Sequence, residues 1–149
     1  MIDIENAVIN SITLQLRTSY LSTYPGLKVY GEYVEYPESF PCVSLWMTDN
    51  YTYTRSLDEA HREHHANVLF TTEVYAIGQT RKAIAKQLAN AVDLMFQDMG
   101  FTRTAMMVLP NADRNAFRIM MRHQCVAEAP IITTDSQGVQ TETYLIYRE

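Results

Sequence analysis

The histidine-rich segment at residues 61–65 is the first candidate for chemistry in this sequence. It reads His-Arg-Glu-His-His, and on a helix His61 and His65 would share one face at the spacing of zinc-binding pairs. The order differs from the His-Glu-x-x-His of metalloproteases, and no further Cys or His follows at ligand spacing. The segment also leads into a predicted strand, where His61 and His65 would lie apart. The pattern favours the end of an exposed loop, and a small metal-dependent enzyme is the less favoured alternative.

Four carboxylates lie near these histidines in the sequence, namely Asp49, Asp58, Glu59 and Glu63. Paired acids transfer protons efficiently only in a cleft that shifts the pKa of one of them, and this stretch is polar throughout. No Ser or Cys occupies a nucleophile-elbow pattern, and no glycine-rich loop precedes a helix. We therefore predict no catalytic, cofactor-binding or metal-binding residues and interpret the acidic cluster as a solvated loop.

The net charge of −5 and the sequence pI of about 5.3 bear on the possible partners. Proteins that wrap DNA or dock on anionic lipid need an excess of Lys and Arg, which this chain lacks. Positive charge is nevertheless concentrated late in the chain, at Arg103, Arg114, Arg118 and Arg122. We interpret these arginines as groups that pair between subunits rather than as a nucleic-acid site.

The remaining compositional features point to an intracellular, reducing environment. Cys42 and Cys125 are far apart, show no metal spacing, and are expected to be small buried hydrophobic residues. No run approaches the roughly 20 apolar residues needed to span a membrane. The N-terminus carries Asp3 and Glu5 instead of a basic start and an apolar block, so we expect no signal peptide.

The periodicity of apolar residues predicts the elements of one domain. Helices are predicted at residues 3–20, where Asp3 can cap the first turn, and at residues 80–100, where Gly100 suits a left-handed cap. The strands, in order, are predicted at residues 28–36, 42–48, 65–76, 101–109 and 116–127. Residues 50–63 are expected to form a long loop, and residues 131–147 a hairpin that turns at 135–138.

These elements predict an α+β fold with an antiparallel or mixed sheet. Two helices cannot cover both faces of such a sheet, so both should pack on one face and leave the other free, with the C-terminal hairpin as an extension at residues 129–149. The free face would carry Trp46, Leu69, Tyr75, Arg118 and Arg122. Large aromatic side chains mixed with Arg are typical of protein–protein interfaces, although an ordinary solvated sheet surface is the alternative.

Two sequence blocks together resemble a known family. The first block runs Phe40-Pro41-Cys42-Val43-Ser44, Asp49-Asn50, Thr52-Tyr53 and His65-Ala66. The second runs Leu94-Met95, Gly100-Phe101-Thr102-Arg103-Thr104, Pro110-Asn111, Phe117-Arg118-Ile119 and Arg122. Their order and spacing resemble those of the small tail terminator or tail-completion proteins of tailed bacteriophages, over roughly residues 1–128. The hairpin after Pro130 is not part of that pattern.

This resemblance implies a structural protein of the virion and not an enzyme. Members of the family form a ring, usually of six subunits, at the head-proximal end of the tail tube, after synthesis in the host cytoplasm. The ring ends tube polymerisation and presents a surface to the head-completion or connector protein. DNA would pass through its lumen without specific binding, which suits the negative net charge. A head–tail connector or neck protein is the alternative within the same machine.

Nine residues are the predicted interface candidates: Tyr51, Tyr53, Arg55, Asp58, Glu59, Arg62, Glu73, Arg118 and Arg122. The tyrosines and charged groups of the long loop suit a partner surface that orders the loop on binding. Arg118 and Arg122 share the outward face of one strand, and we expect them to pair across a subunit boundary with carboxylates, for which Glu73 or the Asp58-Glu59 pair are the candidates. The isolated chain is expected to fold as a monomer and to close into a ring on the tube.

Overall fold

The computed structural model describes residues 2–52, 65–110, 115–128, 131–143 and 146–147. These residues form two helices and eight strands. In chain order they are α1 (Glu5–Tyr20), β1 (Lys28–Tyr30), β2 (Cys42–Thr52), β3 (His65–Ile77), α2 (Arg81–Asp98), β4 (Thr102–Leu109), β5 (Ala116–Glu128), β6 (Ile131–Thr134), β7 (Gln140–Thr143) and β8 (Ile146–Tyr147). Neither helix in the described residues is both long and apolar enough to cross a membrane.

The main sheet is mixed and has the strand order β1-β2-β3-β5-β4. β1 is parallel to β2, whereas β2, β3, β5 and β4 pair antiparallel with their neighbours. β3 and β5 form the centre and pair over their full length, from His65 opposite Glu128 to Ile77 opposite Ala116. The predicted α+β class is therefore confirmed, and β4 and β1 are the two edges of the strand order.

Both helices pack on the same face of the sheet, as the sequence predicts. One apolar side of each helix and alternate residues of β2, β3 and β5 form a single buried cluster. Its fully buried members include Ile12 and Leu16 of α1, Leu88 and Phe96 of α2, Leu45, Phe70 and Met121. Alternation with a period of two brings these strand residues to one face, and burying them supplies the main favourable term in folding.

The end of α2 is fixed by a Schellman motif, which confirms the predicted role of Gly100. Its φ is +97°, its N–H donates to the Gln97 carbonyl, and the Phe101 N–H donates to the Phe96 carbonyl at 2.9 Å. The rings of Phe96 and Phe101 contact edge to face, with centroids 4.9 Å apart, as this motif often shows. This turn carries the chain directly from α2 into β4.

The start of α1 is held by two acidic residues. The N-cap is Ile4 and not the predicted Asp3, and no side-chain cap is formed, although the Asp3 carboxylate accepts the backbone N–H of Glu5 at 3.0 Å. The Glu5 carboxylate accepts the backbone N–H of Met47 at 3.2 Å and thereby joins α1 to β2. Asn50 donates from Nδ2 to the Ile2 carbonyl, which ties the N-terminal residues to the same strand.

Two strand boundaries differ from the prediction. Strand β1 ends at Tyr30, and residues 31–40 have no strand structure, although Val and Tyr continue to residue 36. The segment reaches the face of the sheet opposite the helices, here called the second face, at Val34, whose carbonyl accepts the hydroxyl of Tyr75, whereas Gly31 lies close to Ile9 of α1. Strand β2 instead continues past the predicted end to Thr52, after a bulge between Met47 and Asp49. Residues 50–52 of the predicted loop are thus strand, since β3 offers them a partner.

The C-terminal hairpin is confirmed, and a short strand follows it. β6 and β7 pair antiparallel, and Asp135 closes their turn by accepting the N–H groups of Gln137 and Val139. β8 leaves the hairpin and pairs with β5 at Val126 and Ala127. A strand of two residues is too short to show periodicity, so its pairing with β5 specifies it.

Candidate interaction surface

A buried polar cluster of Glu73, Tyr75 and Arg118 lies on the second face of the sheet. Tyr75 and Arg118 are direct cross-strand partners on β3 and β5, and Glu73 lies two residues from Tyr75 on the same face. An Arg118 guanidinium N–H donates to the Glu73 carboxylate, and the Tyr75 hydroxyl donates to the other carboxylate oxygen at 2.6 Å. The guanidinium also stands 5.5 Å from the centre of the Tyr75 ring. Each charge in the cluster is therefore paired.

Burial and pairing change the acidity of this cluster. Burial acts to lower the pKa of Arg118, but its hydrogen bond to Glu73 and the charge of that carboxylate outweigh burial and raise the pKa. The pKa of the Tyr75 hydroxyl is raised, first by burial and then by Glu73. Arg118 stays charged and Tyr75 stays neutral at physiological pH, so the cluster is a fixed ion pair with a neutral donor.

This arrangement corrects the predicted intersubunit pair for Arg118. Its carboxylate partner is Glu73 of the same chain, because antiparallel pairing of β3 and β5 brings the two residues together diagonally on one face. Arg122 differs, since it is exposed and, within the described residues, no carboxylate lies within ion-pair distance of it. Of the two arginines, Arg122 is therefore the one whose exposed guanidinium is accessible to another chain.

The second face is also less free than the sequence predicts. Tyr75 is 1% exposed, and its hydroxyl donates to the Val34 carbonyl of the segment that follows β1. The ring of Tyr33 packs edge to face on Trp46, with centroids 5.7 Å apart, and leaves Trp46 half-buried. Leu69 is likewise half-buried. Of the predicted aromatic surface, Tyr75 is therefore buried, whereas Trp46 stays half-buried and the Tyr33 ring against it is 52% exposed.

The most exposed apolar part of the sheet is instead its β4 edge, by which we mean strand β4 with its outer backbone edge. Met106 is 46% exposed, Met107 is 45% exposed and Val108 is 58% exposed. Met106 and Val108 lie opposite core residues of β5, whereas Met107 lies opposite Met120 on the second face. Within the described residues, no strand pairs with the outer side of β4. Free apolar edges of this kind are templates for pairing with another chain.

A second buried polar group joins α2 to the sheet. His123 is fully buried, and its Nε2 lies 2.8 Å from an Asp93 carboxylate oxygen, while Arg103 and Gln97 donate to the other oxygen at 3.0 and 2.9 Å. The Phe96 ring stacks on the imidazole at 4.3 Å. Burial lowers the pKa of His123, and Asp93 counters this only in part, so the imidazole is neutral at physiological pH.

Asp93 is 4% exposed, although its helical position lies on the polar side of α2, which the sequence pattern assigns to solvent. The polar partners on β4 and β5 make its burial possible, and they come from distant parts of the chain. His123 could have been found from the sequence, since it occupies an inward position in the alternation between Met121 and Cys125. With a fully buried imidazole, this group is a structural link and offers no open cleft.

The other predicted interface residues lie mainly outside the described residues. Tyr51 belongs to β2 and is 50% exposed. The candidates Tyr53, Arg55, Asp58, Glu59 and Arg62 lie outside the described residues, as does most of the histidine segment. Within the part of the chain that is described, no three His, Cys, Asp or Glu side chains are grouped to hold a metal ion. No protein-family model matches the chain. A comparison with curated proteins likewise finds no match.

Proposed function

We propose that this chain is a structural protein of a tailed phage or phage-derived particle. It forms a ring at the head-proximal end of the tail tube, ends tube polymerisation and offers a joining surface to the head. It acts by binding proteins and carries out no reaction. Its partners are further copies of itself, the tail tube protein and a head-completion protein, and its acidic balance lets DNA pass without tight binding.

The observation that carries this proposal is the β4 edge. Three consecutive large apolar residues are exposed, Met106 and Val108 on one face and Met107 on the other, on a strand whose outer backbone edge has no partner within the described residues. Natural proteins normally protect such an edge with charge, proline or a covering segment. Beyond Arg103, β4 carries no charged residue and no proline, so the rest of its edge beside the exposed Arg122 supports a chain that is covered in an assembly.

The resemblance supplies the kind of assembly. Its second sequence block falls on one structural unit: the end of α2, the Gly100 turn, β4 and β5. That unit also contains the β4 edge, and the block includes Arg103 and Thr104 of β4, although the exposed Met106, Met107 and Val108 are not among its residues. The resemblance implies a sheet with helices on one side, and the mixed sheet with both helices on one face is of this kind.

The test is electron microscopy of particles made with substituted chains. Val108→Glu places a charge in the exposed apolar strip, so we expect overlong tubes or tails without heads. Val108→Thr keeps the β-branched shape and should assemble normally. Leu14→Glu adds the same charge at an apolar residue of α1 that is 68% exposed, and it should also assemble normally.

The outcome also separates the alternatives. Removal of the chain should leave tubes of uncontrolled length if it terminates the tail. Tubes of normal length that lack heads would instead identify a connector or neck protein. Complete particles of normal length, assembled in the absence of the chain, would refute a place in the tail.

A further inference from the structure

Strands β6 and β7 form a small sheet that is separate from the main one. Within the described residues their backbones pair only with each other, from Ile131 opposite Thr143 to Thr134 opposite Gln140. We call residues 131–143 the arm. A two-stranded hairpin is marginally stable by itself in water, so the arm gains stability from any further strand that it pairs with. Both of its outer edges are available for that pairing in the described structure.

The base of the arm is fixed beside the β4 edge. β8 pairs with Val126 and Ala127 of β5, and since β3 occupies the other side of β5 there, β8 lies on the side of β4. β4 begins only two residues away, with Thr102 opposite Gln124. One corner of the sheet therefore carries both an arm with free edges and a strand with a free edge, yet the two do not pair within the chain.

We propose that the arm of one copy adds to the β4 edge of a second copy as an extra strand or pair of strands. This deepens the proposed function, on which it rests, by naming the contact between ring subunits. Each copy would give one arm and receive one, which is a heterologous contact that closes into a ring or continues as a filament. Backbone hydrogen bonds would supply the affinity, and the contact would cover Met106, Met107 and Val108.

Length and charge both fit this pairing. Each arm strand has four residues, or about 13 Å at roughly 3.3 Å per residue, which matches half of the eight-residue β4. The arm contains Asp135 and Glu142 and no basic residue. β4 contains no acidic residue, and the exposed Arg122 lies directly opposite Ala105 of β4. An acidic arm thus meets a basic edge, whereas two β4 edges would bring like charges together.

The experiment uses two separately tagged full-length chains, one with Val108→Cys on β4 and one with Gln140→Cys on the arm. They are mixed and treated with a short bis-maleimide cross-linker, which tolerates a small difference in register. The native Cys42 and Cys125 are fully buried and do not compete. We expect a cross-linked product that contains both tags, and a ladder of products when both substitutions are in one chain.

A matched control disrupts the turn between β6 and β7 and leaves the hydrophobic core unchanged. Gly138 has a φ of +81° at the arm turn, and no atom lies within 4 Å of an added Cβ. Gly138→Val in the Gln140→Cys chain should lower the yield of the mixed product about fivefold or more, equivalent to about 1 kcal/mol. The thermal midpoint of the main domain should not change.

The possible results decide between the alternatives. Cross-linking of Val108→Cys chains with themselves would show that two β4 edges pair, which would overturn the proposal. A mixed yield no higher than that of a Leu14→Cys control at millimolar protein would also overturn it. Neither result tests the proposed function, which is judged by electron microscopy from the length of the tubes and from their joining to heads. If the cross-linked product with both tags forms but tails assemble normally without the chain, the arm contact stands and the proposed function is refuted.

Discussion

The pair formed by Arg118 and Glu73 gives the sharpest test of the buried second face. Arg118→Met keeps most of the aliphatic volume but removes the guanidinium, so the Glu73 carboxylate loses its charged partner. The Glu73 side chain is 6% exposed and the Arg118 side chain is 18% exposed, so water can replace little of the lost interaction. The Tyr75 hydroxyl would remain as a donor to one oxygen only.

The expected loss follows from these contacts. Removing one partner of a fully buried ion pair costs about 3–5 kcal/mol, because the other charge stays buried without compensation. The partial exposure of Arg118 places the value near the lower limit, at about 3 kcal/mol. Urea unfolding followed by circular dichroism measures it, as a fall in the midpoint with the slope unchanged.

Arg122→Met is the matched control, since Arg122 lies four residues along the same strand and is exposed. Its substitution should change the free energy of unfolding by no more than about 0.5 kcal/mol. Glu73→Gln combined with Arg118→Met should lose less than the sum of the two single losses, because the two groups interact directly. Equal effects of Arg118→Met and Arg122→Met, or strict additivity with Glu73→Gln, would refute the buried pair.

Three further outcomes can be checked on the purified chain. The pKa of buried His123 lies below its ordinary 6.5, so the unfolded state binds the proton more readily than the folded state. The free energy of unfolding should therefore fall as the pH drops below about 6.5. Urea midpoints at two pH values should show a smaller fall for His123→Gln. Gly100→Ala should cost about 1–2 kcal/mol, and so should Gly78→Ala, because φ is +97° and +98° at these positions, and thermal unfolding reports both. Cys42, whose pKa burial raises to about 12, and Cys125 should react with a thiol reagent only after unfolding, and rapid labelling of the native chain would contradict their burial.

The sequence determined most of the elements of this fold. Periodicity identifies α2, β3 and β5 within a residue or two, because a helix or strand with one buried face must repeat its apolar residues at the period of its geometry. The same patterns assign the core face of each strand, and Gly100 marks the end of α2 through its backbone freedom. The element order then requires both helices on one face of the sheet.

Patterns of exposure were harder to predict than patterns of elements. Residues 31–36 have strand composition, yet they leave the sheet and contact Tyr75 through the Val34 carbonyl, because a β-rich segment becomes a strand only where a neighbour offers hydrogen bonds. Asp93 has the helical position of a solvent residue but is buried against His123 and Arg103. Strand β8 has only two residues and exists through its pairing with β5.

For the candidate interaction surface as well, some features follow from the sequence and others only from the tertiary structure. The residue types at Glu73, Arg118 and Arg122 indicate charge pairing, and the sequence alone places the two arginines on one face of one strand. Only the tertiary structure decides that Arg118 is paired within the chain and that Arg122 is exposed beside β4. The physical reason is that pairing depends on which strands are neighbours, and strand order is set by contacts between residues far apart in sequence. The same long-range order makes β4 an edge and so leaves Met106, Met107 and Val108 exposed.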